Sequence, residues 1–103
     1  MPKFRIELSG QAWQDLDQIF DYYSAMQGAL SAQLMTEKIL DEIEAQSLFP
    51  YSAPLHPDPK LAATGYRKLV LTRTYVAIYK VVDSTVYIYR IVNGRTDYPK
   101  LLQ

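Results

Sequence analysis

The sequence predicts an α+β domain with the element order β-α-α-β-β-β, in which an antiparallel helix hairpin packs on a mostly antiparallel four-stranded sheet. Three observations support this fold class. The chain has 103 residues, which suit a single domain, 1–103, with one core. Two stretches in the first half repeat apolar residues at helical spacing. The last third contains two runs of β-branched and aromatic residues, separated by a polar turn.

The first half of the chain predicts one strand and two helices. Residues 3–8 alternate between charged and apolar side chains, which is typical of a short strand with one buried face. Ser9 can cap the helix that follows, Gly28 interrupts its apolar pattern, and Ser31 opens a second helix. Asp15 is expected on the water-facing side of the first helix. The short link between the helices predicts an antiparallel hairpin.

The second half predicts three strands. The Phe49–Pro50 pair ends the second helix, because the residue before proline is pushed out of the α region. The proline-rich residues 50–65 are expected to form an extended connection. A strand at 66–71 follows, then a tight connection at 72–74 and a hairpin that turns at Asp83–Ser84.

The net charge of zero conceals an asymmetry between the two halves. Residues 1–49 carry three basic and eight acidic side chains, a net charge of −5, whereas residues 50–103 carry eight basic and three acidic ones, a net charge of +5. The basic half could bind phosphates or an acidic protein, or both halves could simply be solvated. The chain has no cysteine and no long apolar run. We therefore expect a cytoplasmic protein with no disulfide and no membrane partner.

Few residues offer catalytic chemistry on their own. His56 is the single histidine, so no imidazole or thiolate cluster can form, and no phosphate-binding or dinucleotide motif is present. We expect no metal and no cofactor. His56 is the nominal acid–base candidate, although a loop histidine that is either exposed or packed in a turn is the favoured interpretation. Asp15, Asp17 and Asp21 are expected on a helix surface, which disfavours paired-carboxylate catalysis.

Basic and aromatic residues are concentrated on the predicted strands. Arginine binds phosphates and carboxylates bidentately, so these residues could form a binding patch. Strand alternation sends Arg67 and Lys68 to opposite faces, which limits how many can share one patch. The tyrosines are expected to pack on the sheet, with base stacking as an alternative.

Several local sequences, taken in order, resemble the RelE/ParE superfamily of toxins from bacterial type II toxin–antitoxin modules. The resemblance covers nearly the whole chain. It rests on AWQDLDQIFDY at 12–22, the segment 45–54 with its Phe49–Pro50 pair, GYRKL at 65–69, YVAIY at 75–79 and RIVNGRTDYPKLL at 90–102.

The resemblance implies a growth-inhibiting toxin that a cognate antitoxin wraps and silences. It also implies that operator DNA is contacted only through the antitoxin. Members of the superfamily divide by target. RelE-like toxins cleave mRNA on the ribosome, whereas ParE-like toxins inhibit DNA gyrase.

Two positions favour the ParE-like branch. The ribonuclease branch usually has an arginine directly after the aromatic residue that begins the third strand, where this chain has Val76 after Tyr75. Near the tail glycine, this chain offers only Arg95. The alternative is a RelE-like, ribosome-dependent endoribonuclease, for which Arg67, Arg95 and Tyr98 are the candidate catalytic residues. A second alternative is a non-toxic binding module that retains the fold.

The residues predicted to bind the target or the antitoxin lie on the second strand, on the turn after it and in the tail. They are Arg67, Arg73, Arg90, Asn93, Arg95, Asp97, Tyr98 and Lys100.

Overall fold

The computed structural model describes residues 3–96 and confirms the predicted fold class. Two helices pack on one face of an open four-stranded sheet with the strand order β1-β4-β3-β2. The elements are β1 (Arg5–Leu8), α1 (Gly10–Gln27), α2 (Ala29–Glu44), a short 3-10 turn (Ala45–Ser47), α3 (Pro59–Ala63), β2 (Arg67–Leu71), β3 (Tyr75–Val82) and β4 (Thr85–Asn93).

The sheet is mostly antiparallel, as predicted. β2 pairs with β3 and β3 with β4 through tight turns, whereas β1 pairs with β4 in parallel. In the first turn both Thr72 and Arg73 have positive φ, and the Thr74 N–H donates to the Leu71 carbonyl at 3.1 Å. Asp83 has positive φ in the second turn. Positive φ in two-residue turns matches the right-handed twist of the paired strands.

The helix hairpin follows the predicted caps. Ser9 Oγ accepts the Ala12 N–H at 3.0 Å, which satisfies one of the free N–H groups at the start of α1. Gly28 has φ +94° and separates the helices. The second helix begins at Ala29, two residues before the predicted Ser31.

The main core lies between the helices and the sheet face that they cover. Its buried side chains come from α1, α2, the loop residue Ala53 and the strands β2, β3 and β4. Within this core the Tyr79 hydroxyl donates to the Pro50 carbonyl at 2.9 Å. A smaller cluster on the opposite face contains the buried Val76 and Ile78, against which Tyr66 and Tyr89 pack. β3 is therefore apolar on both faces.

The connection at 50–65 is not extended throughout, contrary to prediction, because it contains the short helix α3. Asp58 caps this helix by accepting the Leu61 N–H at 3.1 Å, and Pro59 occupies the first turn, where its missing N–H costs nothing. None of the helices in the described part of the chain is long and apolar enough to cross a membrane.

Candidate functional site

The prediction that Asp15 lies on the helix surface is wrong. Only 7% of the Asp15 surface is exposed to solvent. Its carboxylate accepts hydrogen bonds from Nε and Nη2 of Arg90 at 2.8 and 3.0 Å. The same carboxylate accepts the backbone N–H of Ile91 at 2.9 Å. The pKa of Arg90 is raised, first by its hydrogen bond to Asp15. Arg90 therefore holds α1 against the sheet, and its predicted part in binding stays a prediction.

Asp15 has this position because β1 is shorter than β4. β1 pairs with β4 only as far as Ile88, so the remainder of that β4 edge has no strand beside it. α1 supplies the missing partners: Ser9 Oγ donates to the Tyr89 carbonyl at 2.6 Å, and Asp15 accepts from Ile91. Buried backbone groups need such partners. The helix thus completes the hydrogen bonding of the β4 edge.

A cavity of about 460 Å³ lies between α1 and the end of the sheet where β3 begins and β4 ends. We call it the hairpin pocket. Burial raises the pKa of Tyr75 to about 12, with a smaller contribution from its hydrogen bond to Tyr23. The pocket is lined by Asp15, Gln18, Ile19, Tyr22, Tyr23, Thr74, Tyr75, Arg90, Ile91, Val92, Asn93 and Thr96.

Three of the predicted binding residues meet beside this pocket. The Gly94 N–H donates to the Thr74 carbonyl at 2.9 Å, which joins the segment after β4 to the turn between β2 and β3. This contact brings Arg73, Asn93 and Arg95, all exposed, to one end of the sheet. We call these three residues the arginine end.

Arg67 does not belong to this group. It begins β2, about 13 Å along the strand from Leu71, because each strand residue adds about 3.3 Å. Its Nη1 donates to the Ala53 carbonyl at 2.7 Å, and its guanidinium lies 5.1 Å from the centre of the Tyr51 ring. The guanidinium is thus occupied by the loop that precedes β2. Asp97, Tyr98 and Lys100 lie outside the described residues.

His56 is packed in a turn, which is the second of the two alternatives in the favoured interpretation, and it is not exposed. The side chain is buried, and Nδ1 accepts the backbone N–H of Asp58 at 3.0 Å. Its pKa is lowered, first by burial and then by the nearby Lys68. Within residues 3–96, no three His, Cys, Asp or Glu side chains are grouped so that they could hold a metal ion.

The sheet face away from the helices carries a layer of aromatic and basic side chains. The rings of Tyr66 and Tyr89 lie 5.4 Å apart, and Lys80 Nζ lies 5.0 Å from the Tyr66 ring centre. The pKa of Tyr66 is raised, chiefly by burial. These tyrosines cover Val76 and Ile78, so they pack on the sheet as expected.

Sequence reasoning missed the apolar surface at the tip of the helix hairpin. Met26, Leu30 and Leu34 are 66%, 70% and 58% exposed. Leu30 and Leu34 are four residues apart and therefore share one face of α2, opposite the buried Ile39. Helical spacing places both leucines opposite the apolar stripe of α2 that packs in the core. The sequence alone could therefore have indicated this exposed apolar surface.

The comparisons with known proteins agree with the fold. The family model described as the ParE toxin of the type II toxin–antitoxin system, parDE, matches residues 6–98. Comparison with curated proteins gives no match.

Three solved structures show the same fold at low sequence identity. A structure titled as the chromosomal ParDE system from P. aeruginosa has a TM-score of 0.76 and 22% identity, covering 88% of this chain and 96% of that one. The RelBE2 toxin–antitoxin complex from Mycobacterium tuberculosis has a TM-score of 0.57 and 21% identity, covering 88% and 98%. YafQ from E. coli has a TM-score of 0.54 and 20% identity, covering 89% and 94%.

Proposed function

The chain belongs to the ParE toxin family of type II toxin–antitoxin systems, and from this premise we propose that it arrests bacterial growth by inhibiting DNA gyrase. We further propose that a cognate antitoxin silences it, that operator DNA is contacted only through that antitoxin, and that it acts in the cytoplasm, where gyrase works. The family match over residues 6–98 supports the toxin assignment.

The choice of gyrase over RNA as the target rests on Val76. The ribonuclease branch of the superfamily usually has an arginine directly after the aromatic residue that begins this strand. Here the Val76 side chain is 3% exposed and packs in the apolar cluster with Ile78. Valine can neither transfer a proton nor stabilise the charge that develops on a phosphate during cleavage.

Apart from Arg95, the other side chains in residues 3–96 that could take part in RNA cleavage support the same choice. The Arg67 guanidinium is held by the Ala53 carbonyl and the Tyr51 ring. Tyr66 and Tyr75 have raised pKa values, so neither hydroxyl ionises at neutral pH to serve as a base. His56 is buried in its turn. RNA cleavage requires a base, an acid and a charge stabiliser close together, and strand pairing places Tyr75 four residues along β3 from Tyr79, the partner of Arg67.

The arginine end is the proposed gyrase-contacting surface. Arg73 lies on a turn and Arg95 follows β4, so both guanidinium groups project from ordered strand ends. Both residues are exposed, and neither forms an ion pair within residues 3–96. Free guanidinium groups can bind carboxylates of a protein or phosphates of the DNA that gyrase holds.

The antitoxin is proposed to cover the tip of the helix hairpin. Met26, Leu30 and Leu34 expose a run of large apolar side chains, a feature that often marks a protein-binding surface. The hairpin pocket lies against α1, the helix that carries Met26, and its lining includes the hydroxyl-bearing Tyr22 and Tyr23. Replacing both leucines by serine should weaken antitoxin binding at least about tenfold, measured by calorimetry.

A supercoiling assay with purified gyrase tests the proposed target. The wild-type protein should block supercoiling, and the Arg73→Ala and Arg95→Ala variants should each need about tenfold more protein for the same inhibition. Lys60→Ala is the control, because Lys60 is exposed on α3, which precedes the start of β2, at the opposite end of that strand from Arg73. Uninhibited gyrase at excess protein would contradict the proposal. New mRNA 5′ ends in a translation system would support the endoribonuclease instead.

A further inference from the structure

The two edges of the sheet are protected to different degrees. At the β2 edge, loop residues Pro54 and His56 form backbone hydrogen bonds to the strand region at 3.0 and 2.9 Å. Farther along that edge, the Glu42 carboxylate accepts the Thr72 N–H at 3.0 Å. Proteins commonly cover an edge strand in this way, which prevents pairing with another chain.

The β1 edge lacks this protection along most of its length. The Arg5 N–H donates to the carbonyl of Ser84, directly before β4, and the Ser9 N–H donates to the Ile88 carbonyl within β4, both at 2.9 Å. Because backbone groups alternate along a strand, Ile6 and Leu8 direct theirs away from the sheet. In the described part of the chain, the outward N–H and C=O groups of Ile6 and Leu8 have no hydrogen-bond partner. Of the neighbouring outward groups, only the Phe4 N–H is bonded, to the Ser47 carbonyl.

The charged residues of β1 are self-complementary. Arg5 and Glu7 are both exposed and share one face of the strand, and neither forms an ion pair within residues 3–96. If a second copy pairs antiparallel about a two-fold axis at Ile6, Arg5 lies opposite Glu7 of the second copy. Such non-hydrogen-bonded positions bring opposed side chains closest together, about 4.5–5.5 Å between Cβ atoms. The axis therefore produces two ion pairs.

We propose that two copies of this chain associate through their β1 edges to form one continuous eight-stranded sheet. Ile6 exchanges both of its outward backbone hydrogen bonds with Ile6 of the second copy. The four-residue strand is short, and a stable dimer usually buries about 1,200–2,000 Å². The association is consequently weak and depends on protein concentration. It is independent of the toxin's target.

Sedimentation equilibrium tests the dimer and its register. The wild-type protein should shift from monomer to dimer between about 10 µM and about 1 mM, the range suited to a small interface. Arg5→Glu and Glu7→Arg should each raise the dissociation constant at least about tenfold, since each places like charges opposite one another. The double variant carrying both changes should restore the affinity to within about threefold.

The matched control is Lys38→Glu, which changes the net charge by the same amount as Arg5→Glu at an exposed position on α2. It should leave the dissociation constant unchanged. Amide hydrogen exchange gives a second measurement: the Ile6 N–H should become protected as concentration rises, whereas the Val70 N–H on the opposite edge should not.

Two results would overturn the proposal. One is a wild-type protein that remains monomeric throughout the concentration range. The other is a dimer whose dissociation constant is unchanged in the charge-reversal variants, or whose Ile6 amide exchanges as fast as in the monomer. If the Ile6 amide is protected only in a complex with the antitoxin, a strand of the antitoxin occupies the edge, and the proposed self-association is wrong.

Discussion

Replacing Asp15 by alanine should destabilise the protein more than any substitution of an exposed acidic residue. Asp15 binds two nitrogen atoms of Arg90 and the backbone N–H of Ile91. Its removal leaves a cation whose side chain is only 25% exposed and a buried N–H, both without their acceptor. The change therefore disconnects α1 from the edge of β4.

The expected loss is about 3–5 kcal/mol of unfolding free energy. Removing one partner of a buried ion pair costs about 3–5 kcal/mol, and the partial exposure of Arg90 reduces this to roughly 2–3. The unpaired Ile91 N–H adds about 1–2 kcal/mol. For a domain of this size, each kcal/mol lowers Tm by about 4–8 °C, so a fall of at least about 12 °C is expected.

Urea unfolding followed by circular dichroism measures the loss. Asp17→Ala is the control, because Asp17 lies on the same helix and is exposed, and it should cost less than about 0.5 kcal/mol. Asp15→Asn should fall between the two, since its amide oxygen can still accept from Ile91 but carries no charge. In a double-mutant cycle with Arg90→Ala, the two losses should be strongly non-additive.

A cost below about 1 kcal/mol for Asp15→Ala would refute this reasoning. So would additive losses in the cycle, because they would mean that the carboxylate and the guanidinium do not depend on each other.

Three further predictions concern the two buried groups His56 and Tyr75 and the backbone at Gly94. Burial lowers the pKa of His56 from 6.5, so its contribution to the unfolding free energy is full above about pH 6.5 and falls as the pH drops below that value. In urea titrations, His56→Gln should reduce this dependence of the unfolding free energy on pH. Burial raises the pKa of Tyr75 to about 12, so its contribution to the unfolding free energy is full below about pH 10 and is lost as the pH rises toward 12. Tyr75→Phe should remove this loss of stability at alkaline pH, as measured by thermal unfolding. Gly94→Ala would place a Cβ 3.2 Å from Val76 Cγ2 and should cost about 1 kcal/mol of unfolding free energy. The control Gly10→Ala, whose Cβ meets nothing within 4 Å, should cost almost none. Equal Tm values for the two variants would contradict this prediction.

Local signals in the sequence predicted most of the fold. The cap at Ser9, the break at Gly28 and the turn at Asp83 each depend on a few neighbouring residues, so they can be read without knowing the tertiary structure. The short helix α3 was missed, although the adjacent Asp58 and Pro59 carry its start signal.

The candidate site was less predictable because it depends on strand register. Helical spacing places Asp15 away from the apolar stripe, and only the early end of β1 leaves a β4 edge for it to complete. Strand register likewise separates Arg67 from the arginine end, since Arg67 pairs with Tyr79 near the opposite end of the sheet. Among predicted binding residues far apart in sequence, the structure places Arg73 at the same end of the sheet as Asn93 and Arg95, and their part in binding stays a prediction.

A gyrase inhibitor and an mRNA-cleaving toxin stop different syntheses in a cell that lacks the antitoxin. The most direct measurement induces the chain in bacteria without its antitoxin and follows thymidine and methionine incorporation separately. A gyrase inhibitor should halt DNA synthesis first while protein synthesis continues, and Arg73→Ala with Arg95→Ala should delay the arrest. Immediate loss of protein synthesis with continuing DNA synthesis would contradict the account and identify an mRNA-directed toxin.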